Sequence, residues 1–290
     1  MRPTLASDGW EPVSVQGSLE RCIEALFRDL CAYTLVIADD GKVATLPALE
    51  RFRESLAEGT TAEIEPLFQG ILLGLARENR KLLGKLYDLG TRPMKLLSGR
   101  ALFFTPEIEK IIGDFFADGA HRPLLVSPYN GETLHVFPPG EENFRFNLPV
   151  HQDYPYLLQS SRQLTFWLNL TNNFGAKAGG VRVFPGTHRH GVARTFAGEH
   201  GHYEVATDSY PEFNPSVFQD SDGNLFDMYA VDSLTWHTSL RNETEDQVRI
   251  TYIFRVSDIA DGRVPFGMDR ATGEARFEDL HAALYVAAPG

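Results

Sequence analysis

This sequence has little cysteine and no long apolar run, and each shortage argues against a class of protein. Cys22 and Cys31 are the two cysteines among 290 residues, and they lie in a helical pattern. We therefore expect buried thiols in a reducing compartment rather than a disulfide. No apolar run approaches the roughly 20 residues of a membrane span, and no signal-peptide pattern opens the chain. These features predict a cytoplasmic protein without a membrane partner.

Basic residues are also in the minority. The chain has 27 Lys and Arg against 39 Asp and Glu, a formal net charge of −12. This balance argues against a general affinity for nucleic acid or anionic membranes. It is compatible with an anionic small-molecule substrate, because a pocket can be locally basic. The sequence does not indicate an oligomeric state.

The spacing of apolar residues divides the chain into two halves. From Ser18 to about Gly119 apolar residues recur every three to four positions, which predicts a mainly helical flank over residues 1–120. From there, short β-rich runs are separated by Gly, Pro and Asn turns, which predicts a β-core over residues 121–258.

We expect a mixed α/β (α+β) protein whose core is a double-stranded β-helix of jelly-roll type, with the helices packed outside it. Residues 259–290 would form a C-terminal extension. No linker, repeat or low-complexity tract interrupts the chain, so the sequence predicts a single domain over residues 1–290.

Two histidines and one aspartate are the residues most informative about function. Alternate residues of a strand point the same way, so His151 and Asp153 could reach one metal while Gln152 points away. His237, 86 residues later, would approach from the opposite wall of a barrel-like sheet. Two imidazoles and one carboxylate can hold non-haem Fe(II) on one face, which leaves the other face open for O2 and a co-substrate.

An arginine near this motif indicates what the co-substrate could be. Arg249 lies 12 residues after His237, in an alternating run that predicts a half-buried strand. A guanidinium is a fork of donors suited to a carboxylate, so Arg249 could bind the distal carboxylate of a 2-oxo acid that chelates the iron. Thr251 faces the same side and could add a hydroxyl.

Three blocks of sequence carry a family resemblance. They are Leu148–Asp153, Gly179–His188 (Gly-Gly-Val-Arg-Val-Phe-Pro-Gly-Thr-His), and His237–Asn242 followed by Arg249. In this order and at these spacings, the chain resembles the phytanoyl-CoA dioxygenase family of Fe(II)/2-oxoglutarate-dependent oxygenases. The resemblance covers residues from about 130 to 258.

The resemblance implies a function, a set of cofactors and a set of site residues. The implied cofactors are Fe(II), 2-oxoglutarate and O2, and the implied reaction is hydroxylation, desaturation or cyclisation at a C–H bond of a small polar metabolite or natural-product intermediate. Halogenating relatives have a small residue in place of the aspartate, so a carboxylate at that position favours hydroxylation over halogenation. The implied iron ligands are His151, Asp153 and His237. The residues implied around 2-oxoglutarate are Arg249, Ser239 and Trp167.

Two other classes of function stay open at this point. Two histidines and an aspartate also suit zinc, so the chain could be an O2-independent metalloenzyme of the cupin or jelly-roll type, a hydrolase or an isomerase. Arg249 counts against this reading, because such an enzyme has no need of a 2-oxo-acid anchor. A non-catalytic jelly-roll binding module with a structural metal is the third reading. Three protein ligands are more typical of an open catalytic site.

The segment from Gly191 to Asp232 is rich in Gly, Asp, Asn and aromatic residues, and we interpret it as a lid over the substrate. A surface insertion with no role is the alternative. The candidate substrate contacts in this segment are His200, His202, Tyr203 and Tyr210.

A cluster of positive charge lies at the start of this segment. It would meet an anionic or polyhydroxy substrate, with solvated surface as an equal alternative, and consists of His188, Arg189, His190 and Arg194. For His188, holding a strand end together is the better interpretation. By alternation, Trp236 points away from the metal into the core. The sequence assigns no role to His121, His135, His281 or Arg145.

Overall fold

A computed structural model describes most of the chain and shows a mixed α/β protein, as predicted. The described residues are 3–40, 48–86, 98–117, 123–127, 131–140, 148–157, 160–172, 175, 177–198, 202–221, 223–260, 263–268 and 275–279. His121, Arg145, His200 and His281 lie outside them.

The helices belong mainly to the first half of the chain, where the apolar spacing predicted them. They are Leu5–Asp8, Gly17–Asp40, Ala48–Glu58, Thr61–Glu78, Ser98–Phe103, Pro106–Phe116 and Tyr154–Leu157, with further helical residues at 80–86. Thr105 occupies the N-cap position of the helix that begins at Pro106, and proline is favoured at the first helical position. Cys22 and Cys31 are both free thiols. Within the described part of the chain, no helix combines the length and apolar character needed to cross a bilayer.

Thirteen strands are described, all but one of them after residue 120. They are β1 (Trp10–Val13), β2 (Leu125–Val126), β3 (Thr133–Phe137), β4 (Gln163–Asn169), β5 (Val181–Val183), β6 (Thr195–Ala197), β7 (Tyr203–Val205), β8 (Gln219–Asp220), β9 (Met228–Asp232), β10 (His237–Ser239), β11 (Arg249–Asp258), β12 (Arg263–Met268) and β13 (Ala275–Asp279).

Two antiparallel sheets of these strands frame the centre of the molecule. The larger has the order β1-β9-β4-β11-β2, with β3 also pairing with β11, and the smaller has the order β10-β5-β8. Two hairpins, β6-β7 and β12-β13, complete the described strands.

The ten residues of β11 separate two different environments by simple alternation. Ile250, Tyr252 and Phe254 belong to the large core that the larger sheet forms with the helices. Ile253 instead joins a smaller apolar cluster with residues of both sheets, among them Trp167 on β4 and Val183 on β5. The odd-numbered side chains of β11 therefore face the space between the two sheets.

The first strand, β1, lies in the half of the chain that the apolar spacing predicted to be helical. It pairs with β9, with Trp10 opposite Val231. A four-residue run gives little local signal, and its partner lies more than 200 residues away in the sequence, so only tertiary pairing places it.

The segment from Gly191 to Asp232 is more regular than a single lid. It contains the β6-β7 hairpin and the edge strand β8, and it ends in β9, which lies inside the larger sheet. Tyr210 packs on the Trp236 ring with centroids 4.9 Å apart, and its hydroxyl accepts the Arg194 N–H at 2.8 Å. In this structure Tyr210 is a packing residue, and β9 is a core strand.

Two residues of the positive cluster, His188 and Arg189, contact the N-terminal residues. The His188 ring reaches the backbone carbonyl of Ala6 at 3.4 Å, and the Arg189 guanidinium donates to the carbonyl of Ser7. His190 lies 3.3 Å from the carboxylate of Glu212. These contacts agree with the interpretation of His188 as a residue that holds a strand end in place.

Candidate metal centre

The two histidines of the predicted triad meet across a short antiparallel bridge. The His151 N–H donates to the carbonyl of His237 at 2.9 Å, and the His237 N–H donates back at 3.0 Å. Their rings lie with centroids 4.1 Å apart, and both residues are buried. The chain therefore does return to the same place 86 residues later, as predicted.

Each imidazole is fixed in one tautomer by a backbone carbonyl. His151 Nδ1 lies 2.7 Å from the carbonyl oxygen of Pro149, and His237 Nδ1 lies 2.9 Å from that of Thr235. A carbonyl can only accept, so Nδ1 carries the proton in both rings and Nε2 keeps its lone pair. Burial lowers the pKa of His151 to about 3, with His237 contributing. A neutral imidazole that offers the lone pair of Nε2 is the form that binds a metal.

Asp153 completes the triad from the adjoining loop. Its Oδ1 lies 3.6 Å from His237 Nε2, and one ligand atom from each of the three residues lies within 4.8 Å of the others. Its Oδ2 accepts hydrogen bonds from Thr165 Oγ1 at 2.8 Å and Arg255 Nε at 3.1 Å. Burial opposes ionisation of this carboxyl, but the Arg255 guanidinium holds its pKa well below the ordinary value. The three side chains form a buried metal-binding triad.

Gln152 points away from the triad, as the strand alternation predicted. Its Nε2 donates to the carbonyls of Gly191 at 2.8 Å and Leu234 at 2.6 Å, and its Oε1 accepts the Ala193 N–H at 2.9 Å. The middle residue of the motif thus anchors two loops behind the metal ligands.

Arg249 and Thr251 lie on the face of β11 that looks between the sheets. The Arg249 guanidinium stacks on the Phe137 ring at 3.7 Å from its centroid, and burial lowers its pKa to about 9. Thr251 Oγ1 is buried and has no hydrogen-bond partner among the described residues. Asn169, opposite Thr251 on β4, has a buried Nδ2 that also lacks a hydrogen-bond partner among the described residues. The face formed by β11 and β4 therefore offers hydrogen-bond donors to a ligand that has acceptor oxygens.

Trp167 and Ser239 lie beside the triad. The Trp167 ring is 5.0 Å from the His237 ring between centroids, and it is buried. Ser239 follows His237 by two residues on β10, so it faces the same side, and it is partly exposed. Trp236 is fully buried in a separate aromatic cluster, which agrees with its prediction as a core residue.

Three residues of the site were missed by sequence reasoning: Arg255, Thr165 and His135. The first two hold Asp153. His135 lies opposite Thr251 on β3, and burial, with Arg255 and Arg249 nearby, lowers its pKa to about 3. The available signal was alternation, because Arg255 lies on the same face of β11 as Arg249, and a buried guanidinium needs a carboxylate nearby.

Comparison with known proteins agrees with this geometry. The family model of phytanoyl-CoA dioxygenase matches residues 91–251, more than half of the chain. No curated protein sequence matches. Among solved structures, the non-heme monooxygenase ThoJ in its apo form superposes with a TM-score of 0.50 at 18% identity, over 94% of this chain and 81% of that one.

Two further solved structures are more distant. EctD from S. alaskensis, with 2-oxoglutarate and 5-hydroxyectoine, has a TM-score of 0.47 at 14% identity, over 91% of this chain and 77% of that one. AviO1 from Streptomyces viridochromogenes Tue57 has a TM-score of 0.46 at 15% identity, over 90% and 95%. The family match confirms the resemblance that the three sequence blocks indicated. This chain belongs to the phytanoyl-CoA dioxygenase family of Fe(II)/2-oxoglutarate-dependent oxygenases, and its cofactors are Fe(II), 2-oxoglutarate and O2.

Proposed function

We propose that this protein hydroxylates a C–H bond of a small polar metabolite or natural-product intermediate, with desaturation or cyclisation as variants of the same oxidation. In this proposal the chain is one domain over residues 1–290. Residues 121–258 form its double-stranded β-helix core, residues 1–120 form a helical flank, and residues 259–290 form an extension. The metal ligands are His151, Asp153 and His237. The residues around 2-oxoglutarate are Arg249, Ser239, Trp167 and Thr251.

The single observation that carries the proposal is the buried triad with two imidazoles pre-set for metal binding. Backbone carbonyls occupy both Nδ1 atoms, His237 Nε2 lies 3.6 Å from Asp153 Oδ1, and one ligand atom from each of the three residues lies within 4.8 Å of the others. Three protein ligands leave coordination positions open, as a catalytic site requires. The donor set therefore fits Fe(II).

Arg249 supports 2-oxoglutarate as the co-substrate. Its guanidinium is buried and already stacked on Phe137, so little side-chain freedom is lost when it binds a carboxylate. Taking a cation out of water is costly, and an anion of complementary shape offsets that cost. Thr251, two residues along the same face, offers its buried hydroxyl to the same ligand.

Iron bound here with 2-oxoglutarate and O2 would supply the oxidising power for attack on a C–H bond. The chain itself supplies three functions. His151, Asp153 and His237 hold the metal on one face, and Arg249 orients the co-substrate. Trp167 and Ile253, in the apolar cluster between the sheets, exclude water from the site.

The net charge and the ligand set support the proposed substrate class. A carboxylate at Asp153 occupies the position where a halide would bind, which favours hydroxylation over halogenation. The net charge of −12 gives no support to a large anionic substrate such as an acyl-CoA. We therefore favour a small polar molecule.

The deciding experiment tests the use of Fe(II) and 2-oxoglutarate, and it does not require the substrate to be known. We expect the purified protein with Fe(II) and 2-oxoglutarate to convert 2-oxoglutarate slowly to succinate under air, and to show a weak visible charge-transfer band anaerobically. His151→Ala, Asp153→Ala and His237→Ala should each remove the band and the succinate while circular dichroism stays unchanged. Full succinate formation in any of these variants would contradict the triad. If the wild type makes no succinate, a zinc hydrolase or isomerase becomes the favoured function, because the same ligands suit zinc.

A further inference from the structure

One oxygen of Asp153 is held by two side chains that lie outside the metal triad. Oδ2 accepts from Thr165 Oγ1 at 2.8 Å, from Arg255 Nε at 3.1 Å, and lies 3.1 Å from Arg255 Nη2. Arg255 Nη1 also reaches the carbonyl of Gly131 at 3.4 Å. All three side chains are buried, so these contacts are shielded from water.

The register of the larger sheet builds this arrangement. Thr165 on β4 lies directly opposite Arg255 on β11, and both side chains face the space between the sheets. Cross-strand partners have Cβ atoms about 5 Å apart, so two donors can converge on one oxygen. The position of the two donors on Asp153 Oδ2 is therefore set by the pairing of β4 with β11.

Holding Oδ2 decides which oxygen of Asp153 is available to a metal. Oδ1 is the atom that faces His237 Nε2, at 3.6 Å. We propose that Arg255, together with Thr165, is a positioning residue that restricts Asp153 to metal ligation through Oδ1 alone and so keeps a coordination position open for the co-substrate. The inference rests on the metal site of the proposed function, and not on 2-oxoglutarate or on the substrate.

The positive charge of Arg255 and its proposed orienting effect on Asp153 make opposite predictions for metal affinity, which allows a sharp test. A buried guanidinium beside a metal site repels the incoming cation, so charge alone would predict weaker binding with Arg255 than without it. If Arg255 orients Asp153, metal binding should instead be stronger with Arg255 than without it. Arg255→Lys keeps the charge but loses the planar pair of donors, and Thr165→Val removes a donor with nearly no change of shape.

Arg162→Lys is the matched control. Arg162 lies 3.5 Å from the carboxylate of Asp258 at the end of the same strand pair, so this change has the same chemistry at a site away from the triad. The metal-free protein and its variants are titrated with Mn(II), whose free concentration is read by electron paramagnetic resonance, and with Co(II), whose absorption bands report coordination.

We expect Arg255→Lys and Thr165→Val each to weaken Mn(II) binding about 10- to 100-fold, the range typical for partners of metal ligands. Their Co(II) bands should also change in position and intensity, because Asp153 is free to rotate. Arg162→Lys should behave as wild type in both titrations. Circular dichroism and melting temperature are recorded for each variant, and Thr165→Val tests the idea even if Arg255→Lys folds poorly.

Wild-type Mn(II) affinity and wild-type Co(II) bands in both variants would overturn the positioning role. An equal loss of affinity in Arg162→Lys would also overturn it, by showing a general effect of the sheet. A wild type that binds Mn(II) through His151 but forms no succinate would refute the co-substrate assignment alone, and the comparison of variants would still decide the role of Arg255.

Discussion

At the scale of single residues, the site is made of buried charges whose surroundings fix what each can do. Arg255 is paired with the carboxylate of Asp153, whereas Arg249 stacks on Phe137 and has its pKa lowered to about 9 by burial. The two arginines share one face of β11 but differ in their partners. Arg255 therefore contacts the metal ligand Asp153, and Arg249 is the residue that we propose to bind 2-oxoglutarate.

Removing the guanidinium of Arg249 should weaken 2-oxoglutarate binding selectively. Arg249→Ala would leave a bound carboxylate in a partly dehydrated pocket without its donors, at a cost on the order of 2–5 kcal/mol. Because about 1.4 kcal/mol corresponds to a factor of ten, the apparent KM for 2-oxoglutarate should rise at least roughly tenfold. Arg249→Lys should recover part of this loss, since one ammonium cannot reproduce the two-donor fork.

The measurement is succinate formation as a function of 2-oxoglutarate, with Mn(II) affinity as the control. Metal affinity should stay near the wild-type value in both Arg249 variants. If metal binding falls with 2-oxoglutarate binding, Arg249 is structural. An unchanged dependence on 2-oxoglutarate would show that the co-substrate does not bind there.

At the scale of elements, the Gly-Gly pair before β5 is needed because two backbones approach closely. Gly179 has a φ of +82°, and a Cβ there would lie 2.7 Å from the carbonyl oxygen of Leu240 and 2.8 Å from the N of Asn242. Backbone atoms cannot rotate out of the way as a side chain can. The neighbouring bridge between Ala178 and Asn242 ties this turn to the residues just after β10.

Gly179→Ala should therefore destabilise the fold. A left-handed residue with a Cβ costs about 1–3 kcal/mol in backbone strain, and the clash adds to it. Gly70→Ala is the matched control, because Gly70 lies within the helix Thr61–Glu78 with nothing within 4 Å of a Cβ. That change should stabilise the protein by about 0.5–1 kcal/mol. Urea unfolding of both variants measures the difference, and a Gly179→Ala protein as stable as wild type would contradict the close approach.

At the scale of the whole molecule, the metal site joins the two sheets. The bridge between His151 and His237 extends the smaller sheet, while Thr165 and Arg255, which hold Asp153, belong to the larger one. A metal bound by all three ligands would thus connect both layers. Binding that requires the folded arrangement must stabilise it.

Divalent metal should accordingly raise the melting temperature. At a metal concentration 100 times the dissociation constant, the stabilisation is about 2.7 kcal/mol. At roughly 2 °C per kcal/mol for a chain of this size class, the melting temperature should rise by about 5 °C. Thermal unfolding with Mn(II), and again after a chelator is added, measures this shift. His237→Ala should lose it and His188→Ala should keep it, and an equal shift in both variants would indicate non-specific binding.

The sequence by itself determined the local parts of this protein. Strand alternation placed His151 and Asp153 on one side and Gln152 on the other, and it put Thr251 on the face of Arg249. The spacing of apolar residues predicted that the first half of the chain is mainly helical. Each of these properties depends on neighbours within a few residues, which is why one sequence is sufficient to predict them.

Only the tertiary structure decided which distant strands meet. The pairing of β1 with β9, and of Thr165 with Arg255, is fixed by register across the larger sheet and leaves no local trace in the sequence. The same holds for His135, which has no motif of its own and reaches the site because β3 pairs with β11. Pairing is selected by burying apolar faces that are far apart along the chain. The partner of a buried charge such as Arg255 therefore becomes known only once those faces have packed.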